Sequence, residues 1–224
     1  MTRLIPTAVL ALAFIAGGSW MLTGPAEILE DLPLGAAFAQ TDDDAAQIDT
    51  SVVADMVQGA EDAPVTVTEY ASYTCPHCAR FHQEVYPELK PLIDSGQVKF
   101  VYREVYFDLP GLWASMVARC GGDMRFFGIT DMIYERQSDW TQGDGNAIAE
   151  NLRRIGRAAG LGDEQIDTCF SDAETAQTLI AWYEENSEAD DINSTPSFLI
   201  NGEKFEGNWD SGLIPAIEEA MPAE

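Results

Sequence analysis

Apolar and polar positions alternate through Val65-Thr66-Val67-Thr68-Glu69-Tyr70-Ala71, a β-branched run bounded in front by Pro64, and the pattern predicts a strand. The period then changes. Cys78, Phe81, Val85, Leu89 and Leu92 recur at spacings of three and four, one apolar stripe of a helix, and Pro76 suits that helix's first turn, where a missing N–H is no loss. Val98 to Val105 reads as a second strand, and a strand, a helix and a strand in this short compass make a βαβ unit with parallel strands. Residues 108–191 turn helical. Helices are expected around 116–120 and 126–134. A third carries the stripe Ile148, Leu152, Ile155 and Ala159 and closes at Gly160. A fourth, with Ala176, Leu179, Ile180 and Tyr183 on one face, is expected to start at a capping box of Ser171 and Glu174. Strand signals return at Ser197–Ile200, Asn201-Gly202 predicts a hairpin back through 203–206, and Ile214, Ile217 and Met221 mark a closing helix. The order β-α-β, helical block, β-β-α predicts an α/β fold, a small sheet with an all-helical insertion at about 108–191.

Ahead of this body, residues 40–58 are polar and acidic and read as a flexible leader with room for one short strand near 52–57. Residues 1–39 differ again. Arg3 precedes the apolar run Leu4–Ala16, and Ala37-Phe38-Ala39 has the small-x-small form of a signal-peptidase site, so a cleaved signal peptide is expected. The rival is an uncleaved anchor, since Leu4 to Leu22 is just long enough to cross a bilayer. Both place the folded part outside the cytosol. Charge narrows the partners: 38 acidic against 12 basic residues give a formal net charge of −26, which repels nucleic acid and anionic lipid alike.

Export decides how to read four cysteines. Cys75, Cys78, Cys120 and Cys169 form an even set, and outside the cytosol that favours disulfides over metal. Cys75-Pro76-His77-Cys78 stands between a strand and a helix. There the first sulfur meets the unpaired N–H groups and positive end of the helix, which favour its thiolate, and the second lies one turn on. Cys75 should be the exposed, low-pKa thiol and Cys78 the buried one. His77 between them would add a donor and partial positive charge beside the sulfur, pushing the pair towards oxidising behaviour. Zinc held by Cys75, Cys78, His77 and His82 is a poor rival, because His77 lies between the cysteines and the other two are distant. A plain structural bridge is the other. Thr195-Pro196 precedes the third strand, where a proline is also ordinary at a strand start.

Glu69 to Cys78 (EYASYTCPHC), the helical insertion and Ser194-Thr195-Pro196-Ser197-Phe198 together resemble the DsbA family of periplasmic disulfide oxidoreductases, within the thioredoxin superfamily, from about Gly59 to residue 224. The resemblance implies a thioredoxin fold over 59–224. It makes Cys75 the nucleophile, Cys78 the resolving cysteine and His77 the potential-tuning residue. Thr195 and Pro196 become a cis-Pro loop that lies against the CxxC and pairs with substrate backbone. Glu69, six residues before Cys75, matches a buried acid that assists proton transfer. His82 departs from the pattern, standing where oxidases of the family often carry an acid. Cys120 and Cys169 are expected as a structural disulfide joining two insertion helices, with a second redox pair as the alternative.

The expected activity is oxidation of cysteine-containing exported proteins while they fold, through a mixed disulfide at Cys75. No cofactor or metal is needed beyond the redox-active disulfide, and a quinone-linked membrane partner of the DsbB type would reoxidise the pair. Two other readings stand beside it, a disulfide isomerase or reductase and a non-enzymatic, disulfide-bridged binding module.

Overall fold

The alternating run becomes strand β2, Val65–Ala71, the middle of a five-stranded sheet ordered β1-β3-β2-β4-β5 in a computed structural model that describes residues 48–222. Strand β3, Val98–Glu104, lies parallel to β2 with Val67 opposite Phe100 and Glu69 opposite Tyr102. Strand β4, Ser197–Ile200, runs antiparallel on the other side with Glu69 opposite Phe198. Residues 1–47 and 223–224, including the segment expected as a signal peptide or anchor, lie outside the described residues. No helix among the described residues is long and apolar enough to cross a membrane.

Between β2 and β3 the expected single helix is two, α1 (Pro76–Glu84) and α2 (Tyr86–Asp94), broken at Val85. Pro87 supplies the cause, since it has no N–H for the carbonyl one turn back. The stripe survives the break: Cys78, Phe81, Val85 and Leu89 are all buried. The insertion contains α3 (Leu109–Cys120), α4 (Asp123–Glu135), the short α5 (Gln137–Trp140), α6 (Gly145–Ala158), α7 (Asp163–Ser171) and α8 (Ala173–Ala189). Helix α6 ends as its sequence predicts. Gly160 takes φ +83°, and the N–H groups of Gly160 and Leu161 donate to the carbonyls of Arg157 and Gly156. The two-residue strand β5 (Glu203–Lys204) and helix α9 (Trp209–Glu219) complete the chain's elements.

Three expectations are corrected. The capping box at Ser171 does not form; Asp172 caps α8, its Oδ1 accepting from the Thr175 N–H at 2.9 Å, while Ser171 ends α7 and donates to the Asp167 carbonyl. A carboxylate at a helix N-terminus also meets the favourable end of the macrodipole, an advantage the hydroxyl lacks. The segment expected as a flexible leader with one short strand near 52–57 does carry that strand, β1, at Met56–Gln58, but the strand is paired antiparallel with β3 and follows a 3-10 turn at Thr50–Val52, so from residue 50 on the segment is part of the fold. Met56 is buried and Asp55 forms an ion pair with Arg103 at 2.9 Å, so this stretch caps the edge of the sheet before residue 59. At the other edge, Asn201 and Gly202 adopt φ +52° and +84°, the turn their dipeptide predicts, yet β5 covers only half of 203–206, with one further bond from Phe205 to Phe198.

One ion pair fastens the insertion to the sheet. Glu104, the last residue of β3 and 1% exposed, accepts two bonds at 2.7 Å from the Arg119 guanidinium on α3 and a third from Ser115. Removing one partner would leave a buried charge uncompensated. Arg119→Met is therefore expected to cost about 3–5 kcal/mol in urea unfolding, and adding Glu104→Met to it should recover most of that loss. A loss under about 1 kcal/mol for Arg119→Met would show that the pair does not hold the insertion.

Candidate active site at the start of helix α1

Cys75 is the residue that opens α1. Its backbone is extended, its N–H donates to the Ser72 carbonyl at 3.0 Å, and Pro76 follows as the first helical residue. Two elements of the insertion fix the approach to it. Gln137 on α5 donates through Nε2 to the carbonyls of Tyr73 at 2.8 Å and Cys75 at 2.9 Å, and the Tyr73 hydroxyl bonds to Thr130 on α4. The thiols of Cys75 and Cys78 are both free, so the pair stands in its dithiol form. The Thr195–Pro196 peptide is cis, and the Thr195 carbonyl lies 3.5 Å from the Cys75 sulfur. The fold thus brings Cys75, Cys78, Thr195 and Pro196 together from a helix start and a strand start that are far apart in sequence.

The two sulfurs are electrostatically unlike. The Cys75 thiol is lowered to about 5, first by the bond it receives from the Cys78 thiol and against the opposing effect of burial. Thr195 and the backbone N–H groups of Cys78 and His77 add to the lowering. The Cys78 thiol moves the other way, pushed up by burial first and then by the nearness of Cys75 and Glu69. One proton therefore serves two sulfurs and rests on Cys78, a property of the pair rather than of either residue. Two expectations change in detail. Cys75 is only 8% exposed against 0% for Cys78, with the Thr195 carbonyl beside it, so its own acidity comes from hydrogen bonding and not from exposure, while burial accounts first for the weak acidity of Cys78. His77 is exposed, and its contribution to Cys75 comes from its backbone N–H, which the helix start aims at the sulfur.

Glu69 is fully buried on the β2 face that also carries Val65 and Val67. Its Oε2 lies 2.9 Å from Nε2 of His82, one helical turn beyond Cys78 on α1. Burial raises the Glu69 carboxyl, the charge and hydrogen bond of His82 lower it in part, and the charge of Cys75 raises it again. The His82 ring is stacked on Tyr134 of α4, with centroids 4.2 Å apart and planes at 18°. The sequence marks His82 as a departure from the family pattern and as a poor zinc ligand, not as the partner of Glu69; its i, i+4 spacing from Cys78 is the available signal. Gln137 and Tyr134 carried none, since they reach the site from the insertion. Cys120 and Cys169 form a disulfide joining the end of α3 to α7. Gly111 near the start of α3 packs against Ser72 and Thr74 ahead of the CxxC, while Cys120 and its bridge stand at the other end of that helix. No group of residues suited to a metal ion occurs among the described residues.

Residues 51–217 match the family model described as thioredoxin. Among known proteins the chain is similar to two Rickettsia proteins named as protein-disulfide oxidoreductases. It is 37% identical to that of Rickettsia bellii, over 75% of this chain and 64% of the relative, and 35% identical to that of Rickettsia prowazekii, over 76% and 62%. The chain thus spans just under two-thirds of the length of these relatives. Among solved structures it superposes on Wolbachia pipientis alpha-DsbA1 with a TM-score of 0.67 and 24% identity, covering 74% of this chain and 90% of that one. Oxidised BdbD from Bacillus subtilis gives 0.63 and 23%, with 74% and 92% covered.

The split between the sulfurs has a consequence for stability. Cys75 binds its proton more weakly in the folded dithiol protein, at about 5, than at the ordinary thiol value of 9.0. Between these values the unfolded chain holds the proton and the folded one does not, so folding stability rises with pH. The contribution is complete above the unfolded value and lost as pH falls through the folded one. Urea unfolding of the reduced protein from pH 5 to 9 should show this positive slope, and Cys75→Ser should lack it. Equal slopes in the two proteins would contradict a depressed Cys75.

Proposed function

The chain belongs to the thioredoxin family, and on that premise we propose that it is an exported, DsbA-like thiol–disulfide oxidoreductase that oxidises cysteine pairs in other proteins. In the oxidised enzyme Cys75 and Cys78 share a disulfide. A substrate thiolate attacks the Cys75 sulfur, the bond to Cys78 breaks, and Cys78 leaves and takes up a proton. A second substrate thiolate then attacks the substrate sulfur of the mixed disulfide, forming the substrate disulfide and releasing Cys75 as a thiolate. Two electrons have passed from substrate to enzyme, and the pair must be reoxidised; a quinone-linked membrane partner of the DsbB type is the candidate that family resemblance supplies. The exchange requires no cofactor or metal.

The observation that carries the oxidase reading is the set of bonds aimed at Cys75, from the Cys78 thiol, Thr195 and two backbone N–H groups. They stabilise the thiolate, which exists only in the reduced enzyme and is the leaving group of the second step. With Cys75 at about 5, the thiolate lies some two units below pH 7, which corresponds to about 60 mV towards an oxidant. In this reading His77 tunes the potential through the helix start, and the Thr195–Pro196 loop offers backbone to an extended substrate segment. Glu69 assists the proton of Cys78, and the Cys120–Cys169 bridge is structural. Export into the periplasm, with or without an anchor, rests on the sequence of residues 1–39.

Equilibration with glutathione should give the Cys75–Cys78 pair a potential above about −180 mV, in the range of protein oxidants. Cys75→Ser should abolish oxidation of a reduced substrate protein, and Cys78→Ser should accumulate mixed disulfides with it. A potential near about −270 mV would instead make the protein a reductant. Efficient reshuffling of a scrambled substrate without net oxidation would make it an isomerase. An inert pair with full binding of partner proteins would leave only a bridged binding module.

A further inference from the structure

Reoxidation makes a demand that the sulfurs do not meet themselves. Cys78 must attack the Cys75 sulfur of a mixed disulfide, forming the intramolecular bond and expelling the partner as a thiolate. The Cys78 proton has to leave first, and Cys78 has no exposed surface. Glu69 is the acid in electrostatic contact with it, and its Oε1 has no hydrogen-bond partner among the described residues. The other oxygen, Oε2, is bonded to His82. The second ring nitrogen of His82, Nδ1, is buried and also without a partner among the described residues.

His82 has a second side. With Tyr86, Lys90, Asp131, Tyr134 and Glu135 it lines a surface cavity of about 390 Å³ between α1, α2 and α4, roomy enough for several waters and with neither Cys75 nor Thr195 in its lining. Asp131 at the rim is in electrostatic contact with the ring: burial raises its carboxyl and His82 pulls it back. The stack on Tyr134 holds the ring between the two sides. A histidine present only to satisfy Glu69 would need one nitrogen; here the second is buried without a partner among the described residues while the residue itself lines the cavity, and buried ion pairs are in any case weak stabilisers.

We propose that His82 is the residue through which the Cys78 proton reaches solvent, taken over from Glu69 on its inner side and passed to the cavity on its outer side. In the forward step the same route returns a proton to Cys78. His82 touches neither substrate nor sulfur and acts through Glu69, so it is a positioning and proton-relay residue. The inference deepens the dithiol–disulfide reading above and rests on it.

The test isolates the step. The full chain is prepared with Cys75 in a mixed disulfide with glutathione, and release of glutathione by Cys78 is followed in the parent, His82→Gln and His82→Ala. Iodoacetamide alkylation of Cys75 in each reduced protein serves as the control. His82→Gln keeps a hydrogen bond to Glu69 but carries no proton. It is expected to release glutathione at least about tenfold more slowly, with Cys75 alkylation within about twofold of the parent. In His82→Ala the ring's space joins the cavity, and added imidazole should restore release in proportion to its concentration. Release at the parental rate in His82→Gln overturns the proposal. So does slow release in a folded His82→Ala that imidazole does not accelerate, or a matching loss of Cys75 alkylation, since both indicate a merely structural residue. If His82→Ala does not fold, release and alkylation in His82→Gln decide alone. Failure of the parent to release glutathione through Cys78 would strike the oxidoreductase reading instead.

Discussion

One hydrogen bond between two sulfurs organises this site: the Cys78 thiol donates to Cys75, and neither residue would have its character without the other. Burial keeps Cys78 protonated, and its proton then stabilises the neighbouring thiolate. The arrangement needs the first sulfur at the mouth of a helix and the second a turn inside, on the stripe that packs the sheet. That is the reason strand β2, the turn at Ser72–Thr74 and helix α1 must keep a fixed relation, and much of the remaining structure serves to keep it. Gln137 and Thr130 tie the turn to the insertion, and the Glu104–Arg119 pair ties the insertion to the sheet. The helical block thus acts as a brace for a few backbone atoms around Cys75.

What the sequence disclosed follows from how local each signal is. Strand β2, the Asn201-Gly202 turn, the Gly160 helix end and the Cys75-Pro76-His77-Cys78 start of α1 are written in a few adjacent residues, and each appears where the pattern put it. The capping of α8 was misjudged by one position because Ser171 and Asp172 are both good caps and the choice between them depends on where α7 stops. Strand β1 left little signal, since three residues between Asp55 and Gly59 have no periodicity; only their pairing with β3 and the contact of Asp55 with Arg103 define them. Of the site, the cysteines, Thr195 and Pro196 were legible by motif. Gln137, Tyr134 and the pairing of Glu69 with His82 were not, for these are meetings of side chains from different elements.

The corrections at Cys75 and His77 have a common cause. Sequence reasoning assigns acidity to exposure and to nearby side-chain charge, whereas this thiol owes its acidity mainly to bonds from a neighbour and from helix N–H groups. A sulfur that is 8% exposed is stabilised by them more than it would be in open solvent, where water competes for the same sites. The cost is access. A substrate must reach a sulfur roofed by the Thr195 loop, and the roof is also the backbone edge with which, in the proposed cycle, an extended segment pairs.

The burial of Cys78 creates a second problem on the opposite side of the sulfurs. Pushing Cys78 up keeps its proton in place for the hydrogen bond to Cys75, yet every unit of that rise makes the thiol harder to deprotonate when a disulfide forms. A protein could relieve this by exposing Cys78, but exposure would weaken the bond that defines the pair. A relay behind the sulfur resolves the conflict, because it moves the proton without admitting bulk water to the sulfur. Glu69 alone cannot complete such a relay, being as buried as the thiol it serves. A titratable ring with one nitrogen on Glu69 and its edge at a surface cavity can, and a fixed cation in that place could not, since it would hold the acid charged without passing its proton on. On this argument, the histidine at position 82 belongs to the proton economy of Cys78, and its effect on Cys75 is secondary.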